Sequence, residues 1–511
     1  MKKYLVPTLL MCLVLSSCGQ KSSPVVEDNA NVFPVSTRED SLQVTMGDVM
    51  PYFDGEQMNI YHLRNTTGTN SLFYHPIARL TTTDFIHYDD KGIALNYEEV
   101  ISSVDAALGT GSFIKDDNTG YYHCFYTGHN DKAHDDSLKD AGLLKKECIR
   151  HAVSKDNQKT WKKVESFIMY GYEDDFRDPY VYYDSSEQKY YMLITTRDFG
   201  KAVIRRFGTK TLDAKPFDDS DLFWKDDEWN FVDNFYTNSD GDYNMECPSY
   251  IKFGNYEYLA YSEQGANRVT HYRYRVANSN DSWDKFDRDA IDASGFYAGR
   301  LEKMNDKLYA FAWCARLTGG NTGDFDWAGN LVTHELKQGN NGELFAVMPE
   351  SYKTYYKTPV NYGENKSYTS DGSGFVGHTL APLSTRVTRI SYKMTINELA
   401  GDFGITFGID NDYNNRLGDG LVAFDLTNKR IVCHNNVSSV LRYGKELTHV
   451  AYDFVKNNEY KVDVIADEEV VSIYLNDEVA LTSRLVNMEN NRLAFYFNKA
   501  NVEMREVAFY E

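Results

Sequence analysis

A strand–turn–strand hairpin rich in aromatic residues recurs along the first two thirds of the chain. Its five copies end at Tyr61, Tyr126, Ile194, Tyr261 and Phe311, so successive copies end 65, 68, 67 and 50 residues apart. A period of this size, with about four short strands in each unit, is typical of the blades of a β-propeller. Long patterns of helical period are nearly absent. The repeat therefore predicts an all-β fold that begins with a five-bladed β-propeller.

The pattern changes beyond about residue 350. Residues 351–374 are rich in Tyr, Lys, Ser and Gly, which is typical of a connector. The segments that follow alternate apolar and polar residues in short runs, as in 460–464 and 471–475. Such alternation is typical of an antiparallel β-sandwich. Because the chain is too long for one ordinary domain, we expect a β-propeller over residues 39–349 and a C-terminal β-sandwich over residues 350–511.

The N-terminus has the pattern of a targeting segment. Lys2-Lys3 precedes an apolar run, Tyr4 to Leu15, that is too short to span a membrane. Small residues directly before Cys18 favour a bacterial lipoprotein signal over an ordinary secretory signal in which Cys18 is incidental. We expect residues 1–18 to be this signal, with lipid attached to Cys18, and residues 19–38 to be a polar tether. The protein is then anchored in the bacterial cell envelope, and the lipid is its only contact with the membrane.

Charge and cysteine usage exclude several classes of partner. The net charge of −21 argues against a nucleic-acid partner, which requires a basic surface. The five cysteines beyond the signal are scattered and form no CxxC pair, which argues against a disulfide framework or a structural zinc site. The twelve histidines show no metal-binding spacing such as HExxH, so we predict no metal and no cofactor.

Three acidic residues each lie just upstream of one hairpin. They are Asp48 before the first hairpin, Asp178 in Arg177-Asp178-Pro179, and Glu246 in Glu246-Cys247-Pro248. In a propeller, the start of each innermost strand faces one end of the central axis. The three carboxylates should therefore meet in one pocket, and clustered carboxylates are what cleavage of a glycosidic bond requires.

The second and fifth hairpins predict further parts of this pocket. The second begins with Gly109 to Ser112, where small residues leave room for a ligand. The fifth follows Asp292 and the segment 296–299. We expect substrate contacts from Gly111, Ser112, Asp292 and Tyr297, with core packing as the alternative for Asp292 and Tyr297. Trp224 and Trp229 fit either a sugar platform or the core.

Taken together, these segments resemble glycoside hydrolase family 32, fructan- and sucrose-cleaving enzymes built from a five-bladed propeller and a C-terminal sandwich. Arg177-Asp178-Pro179 resembles the family's RDP motif, and Glu246-Cys247-Pro248 resembles its ECP motif. Asp292 with Phe296-Tyr297-Ala298 is similar to its DxGxxFYA stretch. Gly111-Ser112 is similar to its SGS loop, and residues 470–484 resemble the stretch SVEVFVNDG followed by SR in the sandwich. The resemblance covers nearly all of the mature chain.

The resemblance implies a retaining mechanism in which Asp48 is the nucleophile and Glu246 the general acid/base. Asp178 would bind two hydroxyls of the fructosyl ring, and Arg177 would pair with a carboxylate of the site. Like charges crowded in a poorly solvated pocket push their pKa values apart, which supplies one ionised and one protonated carboxyl. The first motif departs from the family pattern WMNDPNG: residues 45–51 lack its tryptophan and both asparagines. The resemblance therefore leaves the exact sugar open.

The leading hypothesis is a glycosidase that removes terminal fructosyl units from an oligo- or polysaccharide such as a fructan, or from sucrose-like sugars. One alternative is an inverting propeller hydrolase for arabinose- or xylose-containing glycans, whose carboxyl groups lie about 6.5–9.5 Å apart. The other is a surface glycan-binding lipoprotein without catalytic activity. The sequence alone does not set the oligomeric state.

Overall fold

The computed structural model describes residues 30–510 except for short internal gaps. The gaps are 39, 137, 139–142, 219–222, 240, 242, 266–267, 280, 319–323, 363–365, 370–375, 380–386, 409–417, 436–443, 468 and 486–492. The predicted signal peptide, Cys18 and residues 19–29 of the predicted tether lie outside this range. The described elements are β-strands apart from one short helix, α1 (Glu350–Tyr355). Across the described part, no helix has the length and apolar character needed to cross a membrane.

A short ribbon precedes five groups of antiparallel strands that follow one another along the chain. The ribbon is β1 (Ser36–Thr37) and β2 (Gln43–Val44). The first group is β3 (Met46–Phe53), β4 (Met58–Arg64), β5 (Ile77–Thr82) and β6 (Asp89–Leu95). The second is β7 (Ala107–Lys115), β8 (Tyr122–His129), β9 (Glu147–Ser154) and β10 (Lys162–Met169). The third is β11 (Phe176–Asp184), β12 (Lys189–Asp198), β13 (Lys201–Thr209) and β14 (Asn230–Thr237).

The last two groups complete this part of the molecule. The fourth is β15 (Asn244–Phe253), β16 (Tyr256–Gln264) and β17 (Thr270–Val276). The fifth is β18 (Tyr297–Met304), β19 (Lys307–Leu317), β20 (Phe325–Gln338) and β21 (Leu344–Val347). One ladder pair, Gly329 with Met46, joins the fifth group to the first. The five predicted hairpins are confirmed, since the first two strands of every group pair in antiparallel fashion.

The first strand of each group lies on the inside of the arrangement. Strand β3 contacts β7, β7 contacts β11, β11 contacts β15, β15 contacts β18, and β18 contacts β3. The side chains of these strands fill the space between the groups, which gives a chain of buried clusters rich in Tyr and Phe. The starts of all five inner strands are thereby brought close together.

Two further antiparallel sheets form the C-terminal part. They are built from β22 (Pro359–Tyr362), β23 (Lys366–Thr369), β24 (Val376–Thr379), β25 (Val387–Ile396), β26 (Asp402–Phe407), β27 (Gly420–Asp425), β28 (Arg430–Asn435), β29 (Lys445–Ala451), β30 (Glu459–Asp467), β31 (Val470–Leu475), β32 (Val479–Arg484), β33 (Leu493–Asn498) and β34 (Asn501–Tyr510). One sheet has the order β22-β34-β25-β30-β31-β32, with β23 also on β34, and the other has the order β24-β33-β26-β27-β28-β29. Apolar residues of both sheets share one core.

The C-terminal sheets contact the first part through buried polar groups. Arg484 on β32 donates hydrogen bonds to the carbonyl oxygens of Ala315 at 2.8 Å and Cys314 at 3.2 Å. Gly295 lies against the same strand, because an added Cβ would come within 2.0 Å of the Thr482 carbonyl oxygen. The two parts are therefore fitted closely to one another.

The predicted tether is corrected at its C-terminal end. Val32 and Phe33 are buried, at 0% and 2% exposure, in the core of the first part. The backbone of this segment is also held, since Leu331 donates its N–H to the carbonyl oxygen of Pro34 at 2.9 Å. These two apolar side chains fix the chain in the core of the first part.

Candidate active site

Every inner strand contains a β-bulge near its start. The ladder register slips between Gly47 and Met50, Gly109 and Gly111, Arg177 and Tyr180, Glu246 and Ser249, and Tyr297 and Arg300. In four strands the bulge residue has left-handed backbone: Asp48 (φ 33°), Asp178 (57°), Cys247 (54°) and Ala298 (55°). Such non-glycine residues cost about 1–3 kcal/mol each and cluster at functional sites. A bulge changes the direction in which side chains point. Because all five inner strands have a bulge near the start, the side chains at these positions point toward one site.

The bulges also define which residues are equivalent between strands. Asp48 and Asp178 are the bulge residues of the first and third groups. The bulge residue of the fourth group is Cys247, not Glu246. Glu246 lies one position earlier, at the place that Arg177 takes in the third group and Tyr297 in the fifth. The carboxylates predicted to be equivalent thus belong to two adjacent positions. Glu246 is thereby placed beside the Arg177 side chain of the neighbouring strand.

Two donors hold the carboxylate of Asp48. The Thr110 hydroxyl donates to its Oδ2 at 2.7 Å, and the indole Nε1 of Trp313 donates to its Oδ1 at 3.1 Å. Both donors come from neighbouring groups of strands, the second and the fifth. Hydrogen bonds to both oxygens fix the orientation of the carboxylate.

Asp178 is almost fully enclosed, at 4% exposure. Its Oδ2 accepts the backbone N–H of Cys247 at 2.9 Å, and its own N–H donates to the Thr127 hydroxyl at 2.9 Å. Burial raises the pKa of Asp178 to about 7, and the nearby negative charges of Glu246 and Asp48 act in the same direction against Arg177. The three carboxylates, called the acid cluster below, therefore interact electrostatically at one site.

Glu246 is held between a cation and a phenol. The guanidinium of Arg177 donates to its Oε1 at 3.0 Å, and the Tyr297 hydroxyl donates to its Oε2. Burial is the largest cause of a raised pKa at Glu246, and the charge of Asp48 adds to it, whereas Arg177 and the Tyr297 hydrogen bond oppose it. Glu246 therefore keeps its proton to higher pH than an ordinary glutamic acid.

Arg177 is fixed by more partners than the sequence predicted. Besides Glu246, its guanidinium contacts Glu147 at 3.1 Å, Asp175 at 2.6 Å and the side-chain oxygen of Gln264 at 3.0 Å. Glu147 starts β9 and Gln264 ends β16, so neither belongs to an inner strand. Their contact with Arg177 depends on how the strands pair, so no local sequence pattern predicts it.

Two tryptophans that the sequence did not single out lie at the Gly47-Asp48 segment: Trp313 binds Asp48, and Trp327 packs on Gly47. The Trp327 ring covers Gly47, where an added Cβ would lie 2.2 Å from a ring carbon. His75 stacks on Trp327 with ring centroids 4.0 Å apart, and burial lowers the pKa of His75 to about 3, so its ring is neutral. Arg268 lies 4.8 Å above the Tyr297 ring. Both tryptophans near Asp48 lie more than 250 residues downstream, beyond the reach of any local motif.

Two of the predicted substrate contacts, Gly111 and Ser112, instead make contacts within the protein. An added Cβ at Gly111 would come within 2.4 Å of the Phe125 carbonyl oxygen, so glycine is required there by strand packing. The Ser112 hydroxyl accepts the N–H of Val181 at 2.9 Å and so ties β7 to β11.

Asp292 is corrected to a structural role. Its side chain has 0% exposure and accepts hydrogen bonds from the Thr482 N–H at 3.0 Å and from His334 at 2.9 Å. It therefore joins the first part of the molecule to β32, with no surface left for a sugar. Trp229 is likewise in the core at 0% exposure, whereas Trp224 is 41% exposed.

The described residues offer no other obvious reactive centre. Among them, no three His, Cys, Asp or Glu side chains are arranged to hold a metal ion. The thiols of Cys124, Cys148, Cys247, Cys314 and Cys433 are all buried and unpaired with one another. Burial raises the pKa of the Cys247 thiol, which argues against Cys247 as a nucleophile.

The family profile described as "Glycosyl hydrolases family 32 N-terminal domain" matches residues 52–344. The matched range includes Asp178 and Glu246 and begins four residues after Asp48, in agreement with the unusual sequence around that residue. No curated protein matches the chain by sequence similarity.

Several solved structures are similar to the chain over nearly its whole length. Fructan 1-exohydrolase IIa from Cichorium intybus is 12% identical with a TM-score of 0.69, covering 94% of this chain and 97% of that one. Exo-inulinase from Aspergillus awamori is 16% identical with a TM-score of 0.67, covering 92% and 96%. Sucrose-6-phosphate hydrolase from Lactobacillus gasseri is 13% identical with a TM-score of 0.65, covering 94% and 92%. At these identities the likeness shows a shared fold.

Proposed function

Because the chain belongs to family 32 of the glycosyl hydrolases, and so is a glycosidase, we propose that it hydrolyses terminal fructosyl linkages of fructans or sucrose-like sugars. The acid cluster at the bulges of the inner strands is the observation that carries this proposal. The similar structures from Cichorium intybus and Aspergillus awamori are a fructan exohydrolase and an exo-inulinase, and their activity supports a fructosyl substrate for this chain.

We also propose that the five groups of strands are the blades of a propeller, residues 39–349, followed by a β-sandwich, residues 350–511. The contacts that run from β3 through β7, β11 and β15 to β18 and back to β3 support a closed ring of five blades. The apolar core shared by the last two sheets supports the sandwich. In this arrangement the acid cluster lies at one end of the propeller axis.

Asp48 is the proposed nucleophile. Its carboxylate attacks the anomeric carbon, C2, of the fructosyl unit and forms a covalent glycosyl-enzyme ester while the bond to the leaving alcohol breaks. Trp313 and Thr110 hold the carboxylate in one orientation. The left-handed backbone of Asp48 supports this role, since it is a strain retained at the position where attack occurs.

Glu246 is the proposed general acid/base. In the first step its protonated carboxyl gives a proton to the departing oxygen, and in the second the carboxylate takes a proton from the water that cleaves the ester. Its raised pKa supports the first role, and the contact with Arg177 keeps it in place for the second. A retaining enzyme of this kind has its two carboxyl groups roughly 5–5.5 Å apart.

Asp178 is the proposed anchor of the sugar ring. Its Oδ2 is engaged by the Cys247 N–H, which leaves Oδ1 for the hydroxyls of the fructosyl unit. A carboxylate at this place also stabilises the positive charge that develops on the ring in the transition state. Trp327, which covers Gly47 and stacks on His75, is the proposed aromatic wall for the apolar face of the sugar.

The cell-envelope location remains a proposal that rests on the residues before Cys18. If Cys18 carries lipid, cells fed a clickable fatty-acid analogue should label the wild-type chain, and Cys18→Ser should abolish the label. Labelling of the serine variant at the wild-type level would contradict a lipid on Cys18.

Fructose release from sucrose, inulin and levan tests the proposed function. We expect release by the wild type and a loss of at least about 10³-fold in Asp48→Ala and Glu246→Ala. Asp54→Asn is a matched control, since Asp54 lies on the same hairpin as Asp48 but caps its turn through the N–H groups of Glu56 and Gln57. Absence of release from all three sugars by folded wild-type protein would overturn the fructosyl substrate. Wild-type rates in Asp48→Ala would overturn its assignment.

A further inference from the structure

A cleft of about 670 Å³, called the rim cleft here, lies between the second and third groups of strands. Its walls concentrate exposed apolar side chains. Of fifteen large hydrophobic side chains exposed in the described part of the chain, five line this cleft. They are Leu144 (66%), Tyr172 (61%), Phe223 (82%), Trp224 (41%) and Phe231 (47%). Exposed apolar surface gathered in one concave place marks a binding site.

Charged groups lie between these rings. The guanidinium of Arg205 is 5.7 Å from the Tyr172 ring and 5.6 Å from the Phe231 ring, and Asp198 holds it at 3.1 Å. Lys189 lies 4.6 Å above the Trp224 ring, whose indole N–H is fixed by Asp226 at 3.0 Å. The aromatic faces are therefore held in place before any ligand binds, and hydrogen-bond donors stand beside them.

The rim cleft lies close to the acid cluster. Its floor includes Phe176, and the next residue, Arg177, contacts Glu246. Successive side chains of a strand point to opposite faces. Strand β11 therefore contributes Phe176 to the cleft on one face and Arg177 to the acid cluster on the other. A polymer that ends in the acid cluster must therefore pass the start of β11 to reach the cleft.

We propose that the rim cleft binds a distant part of the same neutral polysaccharide whose end is cleaved at the acid cluster. Aromatic rings stack against the apolar faces of sugar rings, while Arg205 donates to their hydroxyls. The net charge of −21 disfavours an acidic polymer. This proposal rests on the proposed function and makes its substrate a polymer. A second copy of the chain and an apolar peptide are the competing occupants.

Binding at two places on one polymer raises the effective concentration of the chain end at the catalytic site. The cleft should therefore lower KM for long chains and leave kcat unchanged. A fructosyl trisaccharide is too short to occupy both places, so its KM should not depend on the cleft.

The test uses the full chain with Tyr172→Ala and Trp224→Ala combined. Phe199→Ala is the matched control, since Phe199 is 99% exposed on the same group of strands but does not line the cleft. We expect the double variant to raise KM for levan or inulin about 5- to 10-fold, with the trisaccharide KM unchanged and the control like the wild type. An equal rise for trisaccharide and polymer, or no rise at all, would overturn the proposal.

A binding measurement separates this proposal from the proposed function. Affinity electrophoresis of Glu246→Gln, with and without the cleft substitutions, in gels that contain levan, inulin, arabinan or xylan reports binding without turnover. Retardation by any of these polymers that requires Tyr172 and Trp224 supports the cleft, even if the wild type released no fructose. Retardation that the cleft substitutions leave unchanged, or a change of oligomeric state as their only effect, overturns it.

Discussion

The proton on Glu246 is controlled by the side chains that contact it. The Tyr297 hydroxyl and Arg177 both stabilise the ionised form, while burial and Asp48 favour the protonated form. In the proposed mechanism the basic limb of the activity profile follows the loss of this proton. A substitution that removes a group lowering the pKa of Glu246 should therefore move this limb to higher pH, and one that removes a group raising it should move the limb to lower pH.

Tyr297→Phe should shift the basic limb of kcat/KM to higher pH. Removing the hydroxyl removes a hydrogen bond that lowers the pKa of Glu246, so the pKa of Glu246 rises. The pH profile of kcat/KM for fructose release measures the shift. Tyr183→Phe, on the exposed side of the third hairpin, is the control. A shift to lower pH would contradict the described contact.

Gly47→Ala should lower kcat/KM by about tenfold or more, because its Cβ would overlap the Trp327 ring at 2.2 Å and displace the adjacent Asp48. Gly265→Ala is the control, since its Cβ meets only the flexible carboxylate of Glu263, at 3.1 Å. Adding Trp327→Ala to Gly47→Ala removes the clash, so Asp48 should return toward its place and part of the activity should recover. No loss in Gly47→Ala would show that Trp327 does not enclose Asp48.

Among the elements, the inner strands combine two tasks at neighbouring positions. The bulge residue and the residue before it contribute side chains to the site. The third residue after the last ladder pair before the bulge binds the inner strand of the next group. Ser112 on β7 and Ser249 on β15 are equivalent in this respect, since they accept the N–H groups of Val181 and Leu301 at 2.9 and 3.0 Å. These serines therefore stabilise the contacts between groups.

Ser112→Ala and Ser249→Ala should each lower the free energy of unfolding by about 1–3 kcal/mol, since each leaves a buried N–H without its acceptor. The KM for a short fructoside should stay within about twofold of wild type. Urea denaturation and steady-state kinetics measure the two effects. A large rise in KM for Ser112→Ala with unchanged stability would instead support the sugar contact predicted from the sequence.

The sequence predicted these elements where local patterns suffice. The five hairpins follow from aromatic strands that alternate with turns such as Asp54-Gly55, and Asp178 and Glu246 follow from triplets at the same place in their repeats. The bulges were not predictable, because they arise from pairing with the following strand. The one-residue offset between Asp178 and Glu246 depends on them. Trp313, Trp327 and Gln264 reach the site only through contacts between strands that are distant in the sequence, which no local pattern records.

For the molecule as a whole, apolar and buried polar groups both join the two parts. Ile465, Val470, Tyr474 and Ala480 of the C-terminal sheets belong to the core of the first part. Arg484 binds the carbonyl oxygens of Ala315 and Cys314, and Asp292 links His334 to β32. The sequence predicted a sugar contact for Asp292, with core packing as the alternative, since nothing local distinguishes a buried carboxylate that binds substrate from one that binds a neighbouring part of the protein.

Arg484→Met should destabilise the protein by about 3 kcal/mol, because two buried carbonyl groups lose their donor. All six tryptophans lie at or before Trp327, so tryptophan fluorescence reports unfolding of the first part alone, while circular dichroism reports both parts. We expect both transitions to shift together in urea. Arg505→Met, which removes an exposed ion pair with Glu459, should cost at most about 1 kcal/mol. An unchanged fluorescence transition in Arg484→Met would show that the first part does not depend on β32.

Trapping the glycosyl-enzyme tests the central claim most directly. Glu246→Ala is mixed with an activated fructoside whose leaving group needs no protonation, quenched in acid, digested and examined by mass spectrometry. Without its general base the variant should accumulate the ester, and the peptide that contains Asp48 should gain one anhydrohexose. An adduct on another carboxylate, or rapid turnover of the activated fructoside with no adduct, would contradict the assignment of Asp48 as the nucleophile and Glu246 as its acid/base partner.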